Sequence, residues 1–274
     1  MADIRLGTSG YSYDHWKGKV YPSTIKNSEM FLYYINQYRP NSVEINYTYY
    51  KQPSAKVFEY YVKNSPKDFD VVVKLFGGIT HKSFKSIPPI KADKTVCTQF
   101  LEGIKPLAES GKLGCLLAQF PESLKPSSRT WGYLHSIQDE MGDLPLVYEF
   151  RNKEWISEKN LVSLKLSGIG FCVVDEPKLG ELMPLYPAVT SDIAYLRLHG
   201  RNPNWYTNPD FRYDYLYSEE ELSEFIPIIE KLSSESKVMY IFFNNCHAGS
   251  ALRNVKMMQN ILGMGMLPMQ GILF

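Results

Sequence analysis

Eight short apolar runs recur along the chain, and most are separated by stretches with helical spacing; this alternation limits the fold more than any other feature. The runs cover residues 4–8, 42–48, 70–75, 113–120, 146–151, 169–175, 194–200 and 237–244. Apolar residues spaced near 3.6 mark helices over 28–38, 54–64, 92–110, 128–141, 157–167, 218–234 and 249–262. Several of these open on a serine suited to capping. After the sixth run, residues 176–192 carry Pro177, Pro184 and Pro187, so an irregular connection replaces a helix there. Strands alternating with helices pair in parallel through right-handed crossovers. Eight such repeats predict a single α/β domain over 1–274, a closed (β/α)8 TIM barrel.

An open doubly wound sheet is the competing architecture. It usually carries a phosphate loop after the first strand, but GTSGYS matches neither GxGxxG nor GxxxxGK[ST]. With 44% hydrophobic and 22% charged residues, the chain can bury an extensive core. A net charge of +1 argues against a globally basic nucleic-acid binder but leaves room for a local basic pocket. Cys97, Cys115, Cys172 and Cys246 form no CxxC pair and no dense framework, which fits a reducing compartment. The first residues, MADIR, resemble neither a signal peptide nor a transit segment, so a cytoplasmic location is expected. The apolar tail 261–274 is interrupted by Gly263, Gly265, Pro268 and Gly271; it suits docking on the body or on a partner rather than spanning a membrane.

In a barrel, alternate strand residues point inward and sites form at the C-terminal strand ends. Those ends supply Thr8 and Ser9; Glu44, Asn46 and Thr48; Lys74; Gln119; Glu149 and Arg151; Asp175; Arg197, His199 and Arg201; and Asn244 with Asn245. Glu44 with Asn46, Glu149 with Arg151, and Arg197 with His199 are i,i+2 pairs, which share a strand face. Charged groups inside a barrel need partners or water at its mouth, so these side chains are expected to gather there.

The ordered motifs GTSGYSYDHWKG, EINYTYY, QFP, EFRNKEW, VVDEP, YLRLHGRN, YDYLYSEEEL and FFNNCHAGSALRN resemble the YecE-like family, domain of unknown function 72. The resemblance runs from Gly7 to about Asn254, and Val20 in KGKVYP stands where the family often has an aromatic residue. It implies a TIM barrel and no particular activity. The architecture is similar to that of xylose-isomerase-like and endonuclease-four-like barrels, a likeness of fold alone.

Three functional readings follow from the strand ends. In the first, an enzyme takes a small phosphorylated or carboxylated substrate. Arg197, Arg151 and Lys74 grip the anion, Glu44 or Glu149 and His199 move protons, and Asp175 completes the catalytic set. Thr8, Tyr11, Trp16, Asn46, Gln119, Arg201, Asn244 and Asn245 complete the binding wall, and the helix start at Gly249 offers phosphate a set of backbone amides. In the second, Glu44, Glu149, Asp175 and His199 ligate a divalent metal for hydrolysis of nucleic acid, although few histidines stand near the strand ends. In the third, Tyr11, Tyr13, Trp16, Tyr47, Tyr49, Tyr50, Trp155 and Trp205 stack against a polyanion without catalysis. Cys246 beside His247 is a weaker nucleophile candidate, and Ser9 lacks the GxSxG elbow.

Overall fold

Each of the eight apolar runs folds as a parallel strand, and the strands follow one another around one nearly closed barrel. The computed structural model describes residues 1–82, 91–180, 182–207 and 211–264. The strands are β1 (Asp3–Thr8), β2 (Ser42–Ile45), β3 (Asp70–Lys74), β4 (Leu113–Gln119), β5 (Leu146–Glu149), β6 (Gly170–Asp175), β7 (Ile193–Leu198) and β8 (Val238–Phe243). Several end sooner than the apolar runs do, so Asn46, Arg151, His199 and Asn244 sit just past strand ends, at the start of the loops.

Helices cover the outside of the sheet, and their termini follow local chemistry. The first, α1 (Met30–Tyr33), runs into a π-helical turn, Tyr34–Tyr38, that stops at Arg39 in a left-handed conformation before Pro40. Next come α2 (Ala55–Asn64), α3 (Lys94–Glu109), α4 (Ser128–Met141) and α5 (Glu158–Leu166). Ser127 and Ser157 cap α4 and α5, whereas Asp93 rather than a serine caps α3. The helix expected over 218–234 is two helices, α6 (Glu219–Ser223), capped by Ser218, and α7 (Ile226–Ser234). Pro227 has no N–H for the Ser223 carbonyl, and its ring crowds that carbonyl, so the first helix cannot continue. The last helix is α8 (Ser250–Ile261), and Val20 packs against Gly249 at its start. Among the described residues of 176–192 there is no helix, in keeping with the prolines. No helix among the described residues is long and apolar enough to cross a membrane. The tail from 265 onward lies outside the described residues.

The seam between β1 and β2 is built differently from the others. Backbone ladders join β2 through β8 in order and β8 to β1, but β1 and β2 share one bridge, Ser9 to Glu44. Side chains replace the missing ladder. Asn41 accepts from the Leu6 amide at 2.6 Å and donates to the Ile4 carbonyl at 2.8 Å. The Tyr34 hydroxyl accepts from the Thr8 amide at 3.1 Å and reaches the Ser42 carbonyl at 3.2 Å. The chains approach so closely that a Cβ on Gly7 would stand 2.1 Å from the Ser42 oxygen, which is why only glycine fits.

Within the barrel, polar groups occupy the two ends and aromatic rings the middle. Near the N-terminal end, Tyr240 donates to Asp70 at 2.7 Å, and Arg5 lies 3.4 Å from the same carboxylate. Tyr195 packs on Phe242, with ring centres 5.5 Å apart, and its hydroxyl points upward to Glu44. Above this layer stand the charged residues at the C-terminal ends. The barrel interior is therefore a packed core, with a cavity at its C-terminal face.

Candidate functional site

The site rises from Arg197, whose side chain is 2% exposed at the end of β7. Its Nη2 donates to Glu44 Oε1 at 2.7 Å and to Ser9 Oγ at 3.3 Å, while Nη1 donates to Glu149 Oε2. Tyr195, two residues earlier on the same inward face, donates to the other Glu44 oxygen at 2.6 Å. One guanidinium thus sits between two buried carboxylates from strands on either side of the barrel. Removing one member would strand a buried charge, so the cluster rigidifies the base of the site.

Arg151 forms a second tier. Its Nη2 lies 2.7 Å from Glu149 Oε1, and its Nη1 donates to Glu176. Burial pushes the Glu149 carboxyl up, but the Arg151 and Arg197 guanidinia override this and hold it well below the usual carboxylate range. Glu149 is accordingly an anion with little tendency to take a proton. His199 is fully buried beside it. Burial, then the Arg151 and Arg197 guanidinia, push its imidazole well below the ordinary value of 6.5, so the ring is neutral. Asn244 Nδ2 lies 2.8 Å from its Nδ1, and its Nε2 stands 3.4 Å from Arg151 Nη2 and 3.7 Å from Glu149.

Lys74 comes from the opposite side, at the end of β3. Its amine donates to the neutral Gln119 Oε1 at 2.9 Å and stands 4.7 Å from the centre of the Tyr49 ring. No carboxylate among the described residues lies within ion-pair distance of it. Burial and the neighbouring Arg197 charge bring its pKa down to about 8, against the pull of Glu149 and Glu44.

These groups open onto a cavity of about 480 Å³ at the C-terminal mouth. Tyr11, Tyr13, Tyr47, Tyr49, Tyr61 and Tyr213 wall it, with Asn46, Gln119 and Asn244 between them. The cations on its surface are Lys74, Arg151 and Arg197, and His15 and His247 stand there too. Among the described residues lining it there is no aspartate or glutamate. Glu44, Glu149 and Glu176 lie fully or nearly buried behind the arginines, outside this lining.

Not every strand-end residue converges here. Asp175 accepts from Tyr217 at 2.7 Å and from Arg201 at 3.0 Å, and Arg201 also reaches Glu224 at 3.1 Å. This network faces α6 and is no part of the cavity lining. Asn245 likewise turns away, donating to Asn254 and to the Tyr215 carbonyl, each at 2.8 Å. Thr8 is buried against Tyr34, and Trp16 is buried with its indole donating to the Cys246 carbonyl at 2.6 Å. Gly249 lies outside the cavity lining, with Val20 packed on it. Among the described residues no three histidine, cysteine or acidic side chains stand together in a metal-holding group. The quartet Glu44, Glu149, Asp175 and His199 does not assemble, because Asp175 is drawn to Arg201 and the two glutamates to Arg197. Cys246 and His247 do not pair: the thiol points at the Ser9 carbonyl, at 3.3 Å, and the imidazole lies 2.9 Å from Asp214. Burial pushes the Cys246 thiol up to about 12.

Reading strand ends missed two members of the charge cluster. Glu176 follows Asp175 directly and pairs with Arg151; VVDEP announces a second carboxylate, but a strand ending at 175 hides it. Tyr195 would have been found by extending the alternate-residue rule two positions back from Arg197.

A model of the family described as "Protein of unknown function DUF72" matches residues 5–270. The UPF0759 protein YunF of Bacillus subtilis is 29% identical over 99% of this chain and all of its own length. Among solved structures, a DUF72 family protein from Thermotoga maritima is 40% identical, with a TM-score of 0.86 over 95% of this chain and 99% of that one. Another, from Enterococcus faecalis, is 29% identical, with a TM-score of 0.82 over 98% and 99%.

Proposed function

This chain belongs to the DUF72 family, and on that premise we propose that it is an enzyme for a small anionic substrate, carboxylated or phosphorylated, bound at the C-terminal mouth of the barrel. The observation that carries the reading is the sorting of charge around the cavity. Cations and histidines line it, the described lining holds no acidic side chain, and the carboxylates sit behind the arginines. A desolvated anion gains from such a wall, whereas a cation would be repelled. Arg151 and Lys74 are the anion's partners. Arg197, with both terminal nitrogens already held by Glu44 and Glu149, acts as the fixed positive floor. Glu149 positions the two arginines rather than taking a proton, since it is held well below the usual carboxylate range. The tyrosines supply flat surfaces that exclude water from a ligand of modest size.

A thermal-melt screen tests this. Phosphorylated and carboxylated metabolites should raise the melting temperature, their neutral counterparts should not, and Arg151→Gln should abolish the rise in a protein that still melts cooperatively. Equal stabilisation by neutral and anionic members of a pair, or none by any, would overturn the reading.

A further inference from the structure

We propose that Lys74 is a nucleophile that forms an imine with an aldehyde or ketone carried by the anionic substrate. This rests on the reading of the mouth as an anion site and names the chemistry of what binds there.

Several observations lead to this lysine. Its amine opens on the cavity from the end of a barrel strand. Its hydrogen-bond partner is the neutral Gln119 amide, and the Tyr49 ring covers another side. Surface lysines such as Lys17 and Lys237 lie against aspartates instead. Lys74 has neighbouring guanidinium charge and lowered basicity, so a useful fraction of the amine is uncharged near neutral pH. Desolvation beside another cation is a recognised way to make a lysine react with carbonyls. Cys246, the thiol on the cavity, is buried and directed at a backbone carbonyl. Arg151, which lines the same cavity, supplies charge for a carboxylate or phosphate on the same molecule.

In the reaction, the ammonium first gives a proton to solvent. The nitrogen lone pair then forms the bond to the carbonyl carbon while the C=O π pair moves to oxygen, which is protonated. Loss of that oxygen as water leaves a protonated imine. Overall, two of the three ammonium hydrogens depart in the water and one stays on nitrogen, so no oxidant or reductant is consumed.

Reductive trapping tests the proposal on the full chain. The protein is incubated with glyoxylate, pyruvate or glyceraldehyde 3-phosphate and cyanoborohydride, which reduces an imine to a stable secondary amine. Intact mass and peptide mapping then locate the adduct. At pH 7.5 Lys74 should be modified about ten-fold faster than any other lysine, or more, because far more of it is uncharged than of an ordinary lysine. Its rate should level off above pH 8 while surface lysines continue to gain. Lys74→Arg should remove this adduct. Should that variant fail to fold, protection in the wild type replaces it: lactate and glycerol 3-phosphate, which have no aldehyde or ketone group, should slow trapping at Lys74 alone. Modification of Lys74 no faster than surface lysines overturns the proposal. If lactate or glycerol 3-phosphate stabilises the protein while Lys74 stays unmodified, the imine is wrong and the anion site stands. If no probe binds or traps, both fall.

Discussion

At the residue scale, Glu149 shows how a buried acid serves a site without exchanging protons. It touches Arg197 through one oxygen and Arg151 through the other, and no other residue described here links both arginines. Glu149→Gln keeps the shape but leaves two guanidinia short of an anion, and should cost about 3–5 kcal/mol in urea denaturation, the usual effect of breaking a buried pair. The pH dependence has a definite sign. The folded carboxyl lies below its ordinary value of 4.5, so its contribution is present above that pH and is lost as pH falls from there toward the folded value. Melting temperature measured from pH 6 to pH 3 should drop more steeply in the wild type than in Glu149→Gln. Lys74 has a linkage of the same sign in a higher pH window. Its folded pKa of about 8 lies below the ordinary 10.5, so between these values the unfolded chain binds more protons and stability rises with pH. Subtracting the Lys74→Met profile from that of the wild type should isolate that rise; a flat difference between pH 8 and pH 10 would contradict the lowered pKa.

At the scale of elements, strands and their order were legible because period-two apolar runs and intervening helical spacing are properties of consecutive residues. The 218–234 stretch misled because its apolar spacing persists across Pro227, and a missing N–H outweighs spacing. The site was legible only in part. Rules of alternation place Glu44, Glu149 and Arg197 on the inside, and they meet there. They do not say which way a residue at or just past the strand end turns, so Asp175 and Arg201 look equivalent to Glu149 and Arg151 in sequence but bind Tyr217 and α6 instead. Tyr213 comes from a loop with no periodic signal. The β1 to β2 seam was equally hidden, since its closure depends on Asn41 and Tyr34 side chains rather than on strand patterning. Asn41→Ala should leave the Leu6 amide and the Ile4 carbonyl unpaired and cost about 1–3 kcal/mol. Hydrogen exchange should localise the loss: the Leu6 amide should exchange faster in the variant, while amides of β5 and β6 keep their protection relative to global unfolding.

At the scale of the whole molecule, near-neutral net charge conceals two separated charge networks. One, built on Arg197, Glu44, Glu149 and Arg151, borders the cavity; the other, built on Asp175, Arg201, Tyr217 and Glu224, ties the ends of β6 and β7 to α6. Stability draws on both, whereas the proposed ligand meets only the first. Asp175→Asn should therefore lower the melting temperature yet leave the ligand-induced increment unchanged, because ligand stabilisation depends on affinity and concentration alone, about 2.7 kcal/mol at one hundred times Kd. Arg151→Gln should do the reverse where it matters: whatever it does to the unliganded melt, the increment should vanish. Measuring both variants across a ligand titration separates loss of fold from loss of site. An increment that shrinks equally in the two would mean that the networks are coupled at the end of β6, where the consecutive residues Asp175 and Glu176 belong one to each.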